Sequence, residues 1–202
     1  MHIASQALAI ERQASAQSAL AERGSRPKTR AILGLMRLNF LSVMDPFNFA
    51  DALLGILAQR LAKKLCDCKQ SYVPDADELR LFVLEYAEEL RHSKAWREDV
   101  EREKKKLVQD WTNTYGENGQ LRFFRAVGCD KCGGSGYKGR VGLHELLVAD
   151  DGVKKLIQER ARVAELFAAA VEGGMRTLKM DGMEKIMMGL TDIKMVRQVC
   201  IK

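Results

Sequence analysis

The sequence contains no apolar run approaching the ~18 to 20 residues that span a bilayer. Its first residues, Met1-His2-Ile3-Ala4-Ser5-Gln6, lack a basic stretch followed by an apolar one, so no secretory signal is read there. These absences lead to the expectation of a soluble, cytosolic chain. Proline (3) and glycine (16) are too sparse in 202 residues for a collagen-like or proline-rich protein. Aromatic residues make up 6%, too few to interleave with the basic ones as single-strand nucleic-acid binders require. The three histidines, His2, His92 and His144, are scattered. His144 stands beside Glu145, but alternation along a strand would point the two side chains apart. The motifs G-x-x-x-x-G-K-[ST], G-x-S-x-G and H-E-x-x-H do not occur. Gly134 to Gly139 matches G-x-G-x-x-G, but the dinucleotide fingerprint needs a preceding strand and a following helix, and this copy leads into a strand. No internal repeat is found.

The chain is 47% apolar and 30% charged, which is the balance of a folded protein. A net charge of +6 permits contact with anionic partners without requiring it.

Helical propensity favours residues 2 to 23, and a break at Gly24 to Lys28 precedes a second helix from about Thr29 to Phe40. Asp45-Pro46 places a proline at a helix start. From Phe47 to Leu65 the residues Phe49, Leu53, Ile56, Leu57, Leu61 and Leu65 predict one long helix. Asp75 to about Trp111 reads as helical, with Leu79, Phe82, Val83, Tyr86 and Leu90 on one face. Arg97 to Lys106 is a solvated charged face with pairs such as Glu101 and Lys105. Leu121–Val127 and Arg140–Val148 are strand candidates. Short helices follow from Asp151, with Thr191 as N-cap of the last. Six of the nine methionines fall between Met175 and Met195. Their spacing suits a core of small helices or, alternatively, an adaptable contact surface.

Five cysteines, an odd number, argue against a disulfide framework. Four form two close pairs, Cys66-Asp67-Cys68 and Cys129-Asp130-Lys131-Cys132. Zinc takes four tetrahedral ligands, and thiolates suit it. Gly133 and Gly134 let the backbone approach and donate to sulfur. Lys63, Lys64, Lys69, Lys131 and Lys138 would ease the accumulation of negative charge. Four thiolates leave no open position, so Cys66, Cys68, Cys129 and Cys132 are expected to hold a structural Zn2+. The alternatives are four free cysteines, or a C-x-C pair used only in part. The long gap between the pairs is consistent with a helical insert whose ends meet. Cys200 is expected to pack in the last helix.

Asp45-Pro46-Phe47 through Arg60-Leu61 resembles the helix that ends the ATPase core of the type II secretion and type IV pilus assembly ATPases. Cys129 through Leu147, with its G-x-G-Y-x-G-R-x-G and E-L-L segments, resembles the second cysteine pair of that family and the strand after it. Gly174 through Thr191 is similar to its C-terminal helical segment. The resemblance covers roughly residues 45 to 202. It implies hexamers at the cytoplasmic face of the inner membrane, acting on an inner-membrane platform protein. The expected partners are therefore neighbouring ATPase subunits and that platform protein, with no nucleic acid. The expected place is cytoplasmic, peripheral to the inner membrane. The family's phosphate-binding loop and its acidic and histidine boxes are not found here, so the expectation is a chain that is not an enzyme alone.

The fold expectation is mainly α with a small β, zinc-binding module (α+β) and a helical C-terminal segment. The divisions are 1–40, an unmatched helical segment; 41–65, the core-ending helix; 66–148, the tetracysteine module with its insert at 74–117; and 149–202, a helical subdomain. Cys129 to Gly136 also looks like one copy of the repeat in zinc-binding J-domain cochaperones. A chaperone-like or nucleic-acid-binding protein is thus the alternative function.

Overall fold

The computed structural model describes residues 45–200. The helices expected at 2–23 and 29–40 lie outside these residues. The chain divides into two compact units, one comprising the residues up to Ala58 together with Glu145–Met175, the other Gln59–His144 with the residues from Arg176 onward.

In the first unit, helix α1 (Pro46–Ala52) opens as the sequence suggests. Pro46 occupies the first turn and the Asp45 carboxylate accepts from the Asn48 N–H at 3.1 Å. The expected long helix then fails. Leu53 turns extended, and Gly55–Leu65 is strand β1. Ala58, Ala62 and Leu65 are its buried residues, and that spacing imitates a helical face. The strand forms because β4 (Tyr137–Val148) supplies backbone partners in a two-stranded sheet. The Leu54 carbonyl accepts from the Ala149 N–H, and the Cys66 N–H donates to the Gly136 carbonyl, so the ribbon is antiparallel. Gly55 is required where it stands, since a Cβ would lie 2.7 Å from the Leu147 carbonyl oxygen. Helix α5 (Asp151–Gln158), capped by Asp150, and α6 (Val163–Glu172) complete this unit. Leu147, Val153, Ile157, Phe167 and Met175 are buried in it.

The second unit holds the insert. Strand β2 (Gln70–Tyr72) pairs antiparallel with β3 (Phe123–Arg125), setting Gln70 opposite Arg125 and Tyr72 opposite Phe123. Between them run α2 (Ala76–Leu90), α3 (Lys94–Glu98) and α4 (Val100–Tyr115). Asp75 and Asp99 cap α2 and α4. On the charged face of α4, Glu101 pairs with Lys104 rather than with Lys105, at 2.8 Å.

The insert closes on α7 (Leu178–Met187) and α8 (Ile193–Cys200). Phe82, Tyr86, Trp111 and Phe123 form a ring cluster in which Tyr86 meets Trp111 edge-on at 4.9 Å. Met180, Met183 and Met187 fill the same core, so these methionines are core rather than contact surface. The Tyr86 hydroxyl donates to Glu184 at 2.8 Å, which leaves that buried polar group satisfied. The last helix is capped by Asp192, whose carboxylate accepts from the Met195 N–H. Thr191, expected as the cap, is buried, and its hydroxyl donates instead to the Lys63 carbonyl.

Helices with two small antiparallel sheets make this an α+β fold.

Candidate metal centre

All four paired cysteines belong to the second unit. Cys66 is the first residue beyond β1, and the Lys69 N–H donates to its carbonyl, closing a tight turn around Cys68. The other pair sits on a single 3₁₀ turn, Asp130–Cys132, which Cys129 precedes. The turn ends on Gly133 at φ +59 and Gly134 at φ +75, backbone conformations open to glycine. Gly136 is constrained twice: its φ is +76, and a Cβ would stand 2.5 Å from that of Ala126.

These two turns bring the four sulfurs together. Cys66 Sγ lies 3.9 Å from Cys129 Sγ, Cys68 Sγ 4.0 Å from Cys132 Sγ, and Cys129 Sγ 3.8 Å from Cys132 Sγ. All four atoms fall within 4.8 Å of one another. A disulfide needs ~2.05 Å, so these are free thiols placed as a group. Sulfurs at ~2.3 Å from a common tetrahedral centre would stand about 3.8 Å apart, close to the spacings seen. The tight Cys66-x-Cys68 spacing therefore does not keep its two sulfurs from converging with the other pair.

Backbone groups face the sulfurs. The N–H groups of Cys129 and Gly136 donate to Cys132 Sγ, each at 3.2 Å. Burial pushes the Cys132 thiol up, but these two donors, with the neighbouring thiols of Cys129 and Cys68, outweigh it and bring it down to about 6. At Cys68, burial dominates and pushes the thiol up to about 11, against one N–H from Gly128. Within the cluster, hydrogen bonding thus favours the thiolate at Cys132, while burial disfavours it at Cys68.

The first pair is braced from behind by the turn between α7 and α8. The Leu65 N–H donates to the Leu190 carbonyl at 2.9 Å, Thr191 donates to Lys63, and Lys69 Nζ donates to the Gly189 carbonyl. Sequence reasoning missed β2 and this brace, because neither carries a periodic signal. The insert's two ends are held by the β2–β3 pairing next to the thiols.

The histidine reading changes. Glu145 is buried and His144 exposed, as alternation requires, but His144 has neighbours. Its backbone N–H donates to the Asp181 carboxylate at 2.8 Å, and Lys185 bridges Asp181 and the Gly142 carbonyl. These bonds tie β4 to α7. Cys200 packs, partly buried, against the same core as the methionines.

The sequence is similar to known proteins. The family model for type II/IV secretion system proteins matches residues 28–198. The chain belongs to that family. It is 34% identical to the type IV pilus assembly ATPase PilB of Thermus thermophilus over 82% of its own length and 15% of the relative's. It is 31% identical to the type II secretion system ATPase E of Vibrio cholerae over 84% of its own length and 27% of that protein's. The type II secretion system protein E of Dickeya dadantii is 32% identical over 81% of this chain and 26% of its own length. The chain thus spans about a quarter or less of the length of these relatives. The expectation of a chain that is not an enzyme is overturned. The chain is related in sequence to proteins named as ATPases, and the family it belongs to is theirs. Absent catalytic motifs misled because they describe the residues that touch nucleotide, whereas kinship is carried by residues across the matched span. Among the described residues no helix is long and apolar enough to cross a membrane.

Proposed function

We propose that this chain supplies the metal-clamped C-terminal part of a type II secretion or type IV pilus assembly ATPase, with Cys66, Cys68, Cys129 and Cys132 holding one structural Zn2+. The supporting observation is the sulfur spacing: four thiols from two distant turns stand at the edges a tetrahedral thiolate site requires. The donor set fits zinc, since soft thiolates meet a borderline-soft ion and two backbone N–H groups donate to the Cys132 sulfur. Bound zinc would supply the positive charge that lets all four sulfurs ionise together, and binding would release their protons.

The chain's own residues do the rest. The β2–β3 pairing and the α7–α8 turn hold the bases of the two cysteine turns, so the helical insert projects from a fixed root. In this reading residues 66–148, with the insert at 74–117, form the tetracysteine module, and 149–202 a helical subdomain. The module couples the ATPase to neighbouring subunits and to an inner-membrane platform protein. Its place is cytoplasmic, at the periphery of that membrane.

The test is elemental analysis of the purified chain, with cobalt substitution read by its thiolate absorption. About one zinc per chain, lost in Cys132→Ser, is expected. Four alkylatable thiols and no metal after purification in zinc-containing buffer would refute it.

A further inference from the structure

The second unit carries a cavity of about 500 Å³ between the ribbon and α8. Lys63 and Arg140 line it from the two strands, with Leu61, Met195 and Val199 as apolar wall and Ser135 and Gln198 as neutral polar groups. We propose that this groove docks an extended acidic segment of a protein partner in which carboxylates alternate with apolar side chains.

The argument is charge complementarity. Most arginines of this unit are engaged: Arg176 pairs with Glu184, Arg197 with Glu85 and Arg122 with Glu117. Lys63 and Arg140 have no ion pair among the described residues, and Lys63 instead rests over the Tyr137 ring at 5.8 Å. The exposed Lys64, Lys131 and Lys138 follow in sequence on the same strands and turn, and are likewise without an ion pair among the described residues. Of the acids closest in sequence, Asp67 and Asp130 lie in the two cysteine turns and Glu145 is buried on β4; Asp192, at the start of α8, is committed to the Tyr137 hydroxyl and to capping that helix. A field of one sign beside a cavity raises the local concentration of the opposite charge.

The wall selects among anions. Leu61 is 46% exposed on the ribbon and lines the groove together with Lys63 and Arg140. A peptide with apolar side chains between its carboxylates covers Leu61, Met195 and Val199 while meeting Lys63 and Arg140. Ser135 and Gln198 can pair with its backbone amides. A phospholipid headgroup offers the phosphate but leaves that apolar wall and both neutral polar groups unmatched. The proposal does not depend on metal in the thiol site, and metal content measured on each sample separates the two.

The experiment is fluorescence anisotropy of the full chain with a labelled Leu-Glu-Leu-Asp-Leu-Glu peptide, against the same peptide with Gln and Asn for the acids. Saturable, salt-sensitive binding of the acidic peptide is expected. It should weaken tenfold or more in Lys63→Gln combined with Arg140→Gln and several-fold in Leu61→Gln. It should be unchanged in Lys155→Gln, a surface control in the other unit. All the substituted side chains are exposed, and circular dichroism checks each fold; if the double variant fails to fold, the single Leu61→Gln and the salt series decide. No binding, or equal binding of the neutral peptide, overturns the proposal. So does binding to phosphatidylglycerol vesicles, lost in the double variant, without binding of the peptide.

Discussion

Two neighbouring regions of the second unit are held together by different physics. The insert core is a hydrophobic interior: Met180 and Met183 are fully buried, and Phe82, Tyr86, Trp111 and Phe123 pack ring against ring. The cysteine turn from Cys129 to Tyr137 buries only Gly136 among its residues. It consists of glycines at positive φ, backbone bonds and thiols. A region with no apolar interior must draw its order from specific bonds, and here those bonds converge on sulfur. One region should therefore respond to cavity formation and the other to thiol chemistry, with little exchange between them.

The largest expected effect separates them directly. Stripping the metal with a chelator should loosen the cysteine turns, seen as fast hydrogen exchange at 126–140, while the insert core stays protected. If zinc binds, free metal a thousandfold above its Kd adds about 4 kcal/mol to stability, and chelation removes it. Uniform loss of protection through both regions would erase the distinction.

Met183→Ala tests the other side. Deleting a fully buried methionine should cost about 2 to 5 kcal/mol in urea unfolding while bound metal per chain stays unchanged. Loss of metal in this variant would mean the two regions are one cooperative piece.

Gly136→Ala should be milder, about 1 to 3 kcal/mol, because an alanine there faces both positive φ and the Ala126 side chain. Its signature should be weakened metal retention rather than a weakened core.

The smallest effect is a pH dependence in metal-free protein. Cys132 lies below the ordinary thiol value, at about 6, and Cys68 above it, at about 11. A lowered value means the thiolate is favoured in the fold, so Cys132 alkylation should run near full rate at pH 7 and slow as pH falls through 6. Cys68 should react appreciably only as pH approaches 11. Equal rates at both sites across pH 5 to 9, followed by mass spectrometry, would remove the asymmetry.

Legibility followed locality. The helix start at Asp45-Pro46, the insert helices from Leu79, Phe82 and Tyr86, and the strand through Arg140–Val148 were all readable, because each depends on residues a few positions apart. The region after Ala52 was not. Ala58, Ala62 and Leu65 carry a helical spacing, and only pairing with β4 makes Gly55–Leu65 a strand. Thr191 was misread for a similar reason: its hydroxyl has a partner 128 residues away that no local pattern announces.

By itself the sequence determined which side chains are chemically fit to bind a soft cation, and the ordered motifs that tie the chain to its family. Tertiary structure alone decided that the two cysteine turns meet, that a β2–β3 pair roots the insert, and that β1 is extended. The reason is that strand pairing and sulfur convergence are set by backbone partners far along the chain, whereas ligand type and helix periodicity are properties of neighbours.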